Sequence, residues 1–173
     1  SRFEEAVTEF QKVIDLKLDS ADAEDYDNIG FALLRVGRFE QAIVELQKAT
    51  RLKPKVTVAI ARYHLGVALV NLGRLEEAIV EYRKAIRLHS KYDARAYFNL
   101  GLSHLNLGNQ NEGVRNLKKA LSLQPNLLNR LSPDIREKIN KIMRSSSSPV
   151  EKVTGGILPI SSGSGSRLIS GVS

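Results

Sequence analysis

The side chains best suited to metal binding or acid–base chemistry near neutral pH are three histidines, His64, His89 and His104. They fall at no spacing typical of metal ligands, and no catalytic motif surrounds them. Cysteine is absent, which excludes disulfides, cysteine nucleophiles and thiolate metal sites. The sequence therefore predicts neither a metal nor another cofactor.

The other candidates for catalysis are carboxylates and one serine. Glu45 and Glu81 lie near basic residues, and solvated ion pairing is the commoner role for such carboxylates. Ser164 lies between two glycines but lacks the preceding strand and following helix that a nucleophilic serine at a sharp turn requires. We therefore predict that this chain is not an enzyme.

Charge is distributed unevenly along the chain. Residues 1–27 contain three Lys or Arg and nine Asp or Glu, whereas residues 28–173 contain 23 and 10, within a formal net charge of +7. A basic body favours an acidic partner, such as a nucleic acid, an acidic protein or an anionic membrane surface. No apolar run is long enough to predict a transmembrane segment.

The sequence repeats itself at a spacing of 35 or 36 residues. Four short segments superpose on the small residues Ala6, Ala42, Ala78 and Gly113. In each of the last three, one glycine lies five residues before the small residue and a second lies 12 residues before it. These glycines are Gly37, Gly73 and Gly108, and Gly30, Gly66 and Gly101.

Both halves of each repeat carry apolar residues at helical spacing, which excludes strand alternation. In the first complete repeat these residues are Ile29, Leu33 and Val36, then Phe39, Ala42, Ile43 and Leu46. A glycine between the halves can adopt the left-handed conformation that ends one helix just before the next begins. The sequence thus predicts antiparallel helix pairs, with helices near residues 2–17, 22–35, 38–52, 56–71, 74–88, 92–106 and 109–123.

These repeats resemble the tetratricopeptide repeat, whose first helix reads aromatic-x-x-Leu-Gly-x-x-Tyr and whose second carries a small residue, a large one four positions later and a closing proline. The matching residues are Tyr26, Ile29, Gly30, Leu33, Ala42, Leu46, Ala49 and Pro54; then Leu65, Gly66, Leu69, Ala78, Tyr82 and Ala85; then Tyr97, Leu100, Gly101, Gly113, Leu117, Ala120 and Pro125. Arg62, Ser90 and His104 depart from the pattern. The resemblance implies an all-α, right-handed α-solenoid over residues 1–125, with a half repeat at 1–18 and full repeats at 22–54, 58–90 and 93–125.

The two ends of the chain differ from the repeats. The half repeat carries an apolar stripe that we expect an upstream helix of a longer solenoid, or a partner chain, to cover. Its residues are Phe3, Ala6, Val7, Phe10, Val13 and Ile14. Ser132, Pro133 and Asp134 form a helix start, and residues 126–144 are predicted to form a C-terminal capping helix. Residues 145–173 are rich in Ser and Gly, which predicts a flexible tail.

The resemblance implies that the first helix of each repeat lines a concave groove where an extended peptide binds. The candidate peptide-binding residues are those on the first helices that face away from the helix-packing positions. They are Asn28 and Phe31; Tyr63, His64, Val67 and Asn71; and Phe98, Asn99, Leu102 and Asn106. Asn28, His64 and Asn99 are equivalent, and an asparagine amide can pair with a peptide group of any sequence. The basic clamp by which chaperone-binding members of the family hold a terminal carboxylate is not matched, which disfavours a partner with that acidic ending.

We predict a protein–protein interaction adaptor or assembly scaffold, a subunit of a larger complex, that binds a peptide segment in the concave groove. The alternative is an RNA-associated helical repeat protein that uses the basic C-terminal half of the chain. Salt dependence distinguishes the two, because phosphate contacts make affinity fall steeply with salt concentration whereas an apolar groove does not.

Overall fold

The computed structural model describes residues 2–17, 20–52, 55–88 and 92–145. Within these ranges the chain forms eight α-helices and a 3-10 helix at Pro125–Arg130 and contains no strand, so the predicted all-α class is confirmed. The predicted tail lies outside the described residues, except for Ser145. The α-helices are α1 (Arg2–Lys17), α2 (Ala23–Arg35), α3 (Phe39–Ala49), α4 (Lys55–Asn71), α5 (Leu75–Arg87), α6 (Asp93–Asn106), α7 (Gln110–Leu123) and α8 (Pro133–Ser145).

A glycine ends the first helix of each pair. Gly37, Gly73 and Gly108 have φ angles of 76 to 79°, in the left-handed region that favours glycine. The residue after Gly37 donates its backbone N–H to the Leu33 carbonyl at 2.9 Å, and Gly37 itself donates to Leu34. The same pair of bonds recurs after Gly73 and Gly108. This Schellman motif satisfies carbonyls at the helix end and turns the chain directly into the next helix.

Consecutive helices pack against each other in chain order. The pairs α2 with α3, α4 with α5, and α6 with α7 form the repeats, and α3 with α4 and α5 with α6 join one repeat to the next. The first helices α2 and α4 also contact each other directly. The first helices of successive repeats therefore lie side by side. None of the helices in the described ranges has the length and hydropathy needed to span a membrane.

Within each repeat, a glycine of the first helix meets a large side chain of the second. A Cβ placed on Gly66 would lie 2.5 Å from Cε1 of Tyr82, and Tyr82 is 0% exposed. Such a distance is too short for any side chain, so only glycine permits this approach. The equivalent contacts are Gly30 with Leu46 and Gly101 with Leu117.

Helix α1 buries only part of its apolar stripe. Val7 is buried, and Ala6, Phe10 and Ile14 pack partly exposed against the core. Phe10 lies 36 residues before Leu46 and so occupies the equivalent position. Leu46 is fully buried where it packs against Gly30 on the first helix of its repeat. That side of α1 has no such helix in the described part of the chain. Coverage of the stripe by a further helix or a partner chain stays a prediction.

The C-terminal segment forms a 3-10 helix followed by α8, rather than one helix over residues 126–144. The break precedes Pro133, because a proline disfavours the helical conformation at the residue before it. Arg136 of α8 donates to the backbone carbonyls of Leu128 and Leu131 at 3.2 and 3.3 Å. Buried Leu127, Leu131 and Ile139 join a hydrophobic cluster with residues of α6 and α7. This segment therefore closes the end of the last repeat.

We expect the substitution Gly66→Leu to lower the free energy of unfolding by more than about 2 kcal/mol, because the new side chain collides with Tyr82 in a packed interface. Urea denaturation measures the change. Asn71→Leu, at an exposed position of the same helix, is the matched control and should shift stability by less than about 0.5 kcal/mol. An unchanged midpoint for Gly66→Leu would contradict the close helix approach.

Candidate functional site

Four aromatic rings from α2, α4 and the residue preceding α6 form one cluster on the side of the first helices. We call Phe31, Tyr63, His64 and Tyr92 the aromatic cluster. Ring centroids are 5.1 Å apart for Phe31 and His64, 5.5 Å for Tyr63 and His64, and 5.2 Å for Tyr63 and Tyr92. These separations are typical of favourable ring contacts. Phe31 is 43% exposed whereas Tyr63 and His64 are buried, so Phe31 is the side chain that the cluster presents to solvent.

A buried carboxylate fixes the orientation of the imidazole in this cluster. Oδ1 of Asp27 on α2 lies 2.8 Å from Nδ1 of His64 on α4, and each residue is 7% exposed. The hydrogen bond uses the Nδ1 atom of the ring, and Nε2 lies outside the pair. The bond joins the first helices of two successive repeats. It therefore holds the ring against which Phe31 packs.

Asn99 uses its amide inside the protein. Its Nδ2 donates to the hydroxyl of Tyr82 at 3.4 Å, and Asn99 is 7% exposed. Burial raises the pKa of the Tyr82 hydroxyl well above its ordinary value, because the phenolate would be desolvated. Of the three equivalent positions, Asn99 and His64 are thus bonded internally, and Asn28 is the partly exposed one.

The structure separates the ten predicted peptide-binding residues into two groups. Phe98 is 3% exposed and Leu102 is 0% exposed, so the expectation that they line an open groove is corrected. Both belong to a hydrophobic cluster with Leu127 and Ile139, because the C-terminal segment packs on this part of the third repeat. The residues with side chains at least partly accessible are Asn28, Phe31, Val67, Asn71 and Asn106.

Sequence reasoning missed two residues of this site. Tyr92 precedes the apolar period of α6, so no helical pattern indicated that its ring stacks on Tyr63. Asp27 is an acidic residue near the start of a helix, where a solvated, dipole-favoured role is usual. One signal in the sequence could have indicated this pair. Asp27 and His64 lie at nearly equivalent positions of α2 and α4, and these two helices contact each other.

The other histidines do not extend the site. His104 is 5% exposed, Nη2 of Arg83 lies 3.4 Å from its Nε2, and its Nδ1 has no hydrogen-bond partner. Burial, and then the positive charge of Arg83, lower the pKa of His104 from the ordinary 6.5. His89 lies outside the described residues. Among the residues that are described, no group of three His, Asp or Glu side chains is arranged to hold a metal ion.

Comparison with known families decides the identity of the repeats. A family model described as tetratricopeptide repeat matches residues 24–56 and 94–127, and a second, described as TPR repeat, matches residues 66–108. Together the matches cover the first and third complete repeats, and the second from Gly66 onward. The chain belongs to the tetratricopeptide repeat family. The resemblance inferred from the motif residues is therefore confirmed.

Solved structures of tetratricopeptide repeat proteins share the fold. The crystal structure of MamA is 25% identical with a TM-score of 0.66, covering 83% of this chain and 86% of that chain. YrrB, described as a TPR protein with an unusual peptide-binding site, is 24% identical with a TM-score of 0.63, covering 73% and 63%. The first TPR of Spaghetti (RPAP3), bound to the HSP90 peptide SRMEEVD, is 19% identical with a TM-score of 0.61, covering 73% and 94%. No match was found among curated protein sequences.

We expect His104→Leu to raise the free energy of unfolding at pH 7 by about 1 kcal/mol, because it removes a buried nitrogen without a partner. Leucine occupies the equivalent position, Leu69, in the preceding repeat and is buried there. The pH dependence should change as well. As pH falls through about 6.5, the unfolded state takes up a proton at His104 before the folded state does, so the parent loses stability.

The variant should lose less stability than the parent between about pH 7 and pH 5, since it lacks this proton uptake. Urea denaturation of both proteins at the two pH values measures the difference. Equal acid-induced losses in the parent and the variant would show that His104 is not buried in its neutral form.

Proposed function

We propose that this chain is a non-enzymatic protein–protein interaction adaptor that binds an extended peptide segment along the first helices α2 and α4. The observation that carries this proposal is the ring of Phe31, which is 43% exposed and packs against the buried ring of His64. A large aromatic side chain that is already ordered provides contact area at low entropic cost. It is suited to receive an apolar side chain of a ligand.

Two accessible amide side chains of α2 and α4 are suited to bind a peptide backbone. Asn28 lies on α2 and Asn71 lies on α4, and both are at least partly exposed. Nδ2 of Asn71 donates to the Val67 carbonyl at 2.9 Å, which leaves its amide oxygen and a second N–H proton for a ligand. Amides of this kind pair with N–H and C=O groups irrespective of side chain, so they support recognition of an extended segment rather than of one residue type.

The electrostatics of the site disfavour an acidic ligand. The buried carboxylate of Asp27 lies against His64 of the aromatic cluster, and Arg35, the basic residue one turn after Phe31 on α2, packs over the Phe3 ring of α1. Spaghetti (RPAP3) binds a peptide that ends in several acidic residues, and YrrB is described as having a peptide-binding site. These relatives support peptide binding as the activity. The carboxylate of Asp27 supports an apolar or neutral segment as the ligand of this chain.

The basic charge of residues 28–173 supports RNA binding as the alternative to peptide binding. Lys138 and Lys141 of α8 are exposed and face solvent. If nucleic acid were the ligand, its phosphates would contact such residues, and the affinity would fall steeply with salt. The aromatic cluster would then play no part in binding.

We expect Phe31→Ala to weaken the binding of a peptide selected from a random peptide library by about tenfold, because it removes the exposed anchor. Titration calorimetry measures the dissociation constant. Val44→Ala is the matched control, since Val44 is 52% exposed but lies on the second helix α3.

The affinity should also change little between about 50 and about 200 mM salt, in contrast to phosphate-driven binding. Two results together would overturn the peptide proposal in favour of RNA. In that case Phe31→Ala binds as the parent does, while Lys138→Ala with Lys141→Ala, or the higher salt concentration, abolishes binding of single-stranded RNA.

A further inference from the structure

A cavity of about 460 Å³ lies between α5, α6 and α7. None of the residues that line it belongs to the aromatic cluster. Arg83 and Arg87 of α5 form one wall, Tyr97 of α6 a second, and Glu112 and Asn116 of α7 a third. This volume falls in the range of roughly 300 to 1,000 Å³ that is usual for small-molecule sites.

The preceding repeat junction shows why the cavity exists. There, Nη1 of Arg62 lies 2.7 Å from Oε2 of Glu81, and the two side chains are only 22% and 12% exposed. Tyr97 and Asn116 follow Arg62 and Glu81 by 35 residues, the same step that separates Gly66 from Gly101. A tyrosine and a shorter amide therefore replace an ion pair that closes the equivalent space. The third repeat therefore has open space at this position and lacks a counterpart of the Glu81 carboxylate.

The cavity is also electrostatically unbalanced. Arg83 and Arg87 lie one helical turn apart, and neither has a carboxylate partner among the described residues. Nη2 of Arg83 instead lies 3.4 Å from Nε2 of His104, whose neutral imidazole brings no negative charge. Glu112 is the acidic group of the lining, and its Oε1 already pairs with Arg115 at 3.3 Å. The two guanidinium groups are therefore available to an anion.

We propose that this cavity binds a phosphate monoester. A guanidinium presents its N–H groups as a fork that matches phosphate oxygens, and two forks one turn apart suit a group with three oxygens and a double charge better than a carboxylate with two. The Tyr97 hydroxyl adds a neutral donor, and the Asn116 amide, whose Nδ2 donates one proton to the Glu112 carbonyl at 2.7 Å, adds its second N–H. The cavity also has room, beside Ile86, for the organic part of the ester. This site does not depend on the proposed peptide-binding function.

The proposal can be tested on the full chain with three probes, inorganic phosphate, O-phosphoserine and adenosine monophosphate, at constant ionic strength set with sodium chloride. NMR of arginine Nε–Hε signals should show saturable shifts for Arg83 and Arg87 with the two esters. Tighter binding of O-phosphoserine indicates a phosphorylated side chain as the source, and tighter binding of the nucleotide indicates a small metabolite. Arg87→Met should weaken ester binding by about tenfold.

Two further variants separate a site from a general attraction to basic protein. Arg51→Met is the matched control, because Arg51 precedes Arg87 by 36 residues, the step between equivalent positions of the repeats, and is exposed. It should bind the esters as the parent does. Tyr97→Arg combined with Asn116→Glu rebuilds that ion pair without changing net charge, and it should abolish binding.

Three results would overturn the proposal: no saturable shift with either ester, equal weakening by Arg51→Met and Arg87→Met, or undiminished binding by a folded Tyr97→Arg/Asn116→Glu protein. Circular dichroism and thermal unfolding establish whether the double variant is folded. If it is not, the comparison of Arg87→Met with Arg51→Met decides, because both substitutions lie at exposed positions.

Discussion

The contact between a glycine of each first helix and a large side chain of the following helix is the constraint on which the rest of the structure depends. Gly66 meets Tyr82 so closely that a Cβ atom would lie 2.5 Å from the ring. This approach brings the two helices of a repeat together and buries the large residue completely. Repetition of the contact at steps of 35 and 36 residues places the first helices side by side, where their remaining faces form a common surface.

On that surface, most of the polar side chains serve the solenoid itself. Asp27 binds His64 across two repeats, and Asn99 binds the hydroxyl of Tyr82. Buried polar groups need partners, and neighbouring first helices are close enough to provide them. The ring of Phe31 stays accessible, together with Asn28, Val67, Asn71 and Asn106, and it packs on His64, whose Nδ1 is already hydrogen-bonded. The surface is therefore rigid where it would meet a ligand, which favours recognition without reordering of side chains.

The third repeat differs from the second at positions that lie close together. His104 takes a position that leucine holds in the other repeats, and Tyr97 and Asn116 take the positions of the Arg62–Glu81 ion pair of the second repeat. Each change keeps the helices in place, because the glycine contact with Leu117 is retained. Together they leave a buried imidazole, an open cavity and two arginines that have no carboxylate partner among the described residues. A repeat fold tolerates such changes locally, since each unit packs mainly on its neighbours.

The sequence by itself determined the helices, their pairing and the family. A glycine with a left-handed backbone conformation at a helix end and apolar residues at helical spacing are local signals, so the predicted bounds of α1 to α7 lie within three residues of those observed. The accessible surface was decided only by tertiary structure. By their spacing along α6, Phe98 and Leu102 were expected to lie on the accessible face of the first helices. In the structure they are buried in a cluster with residues of the C-terminal segment. Tyr92 joins the aromatic cluster through a contact with Tyr63, 29 residues earlier, that no periodicity encodes. Burial depends on which distant element packs on a face, and a single helix does not specify that element.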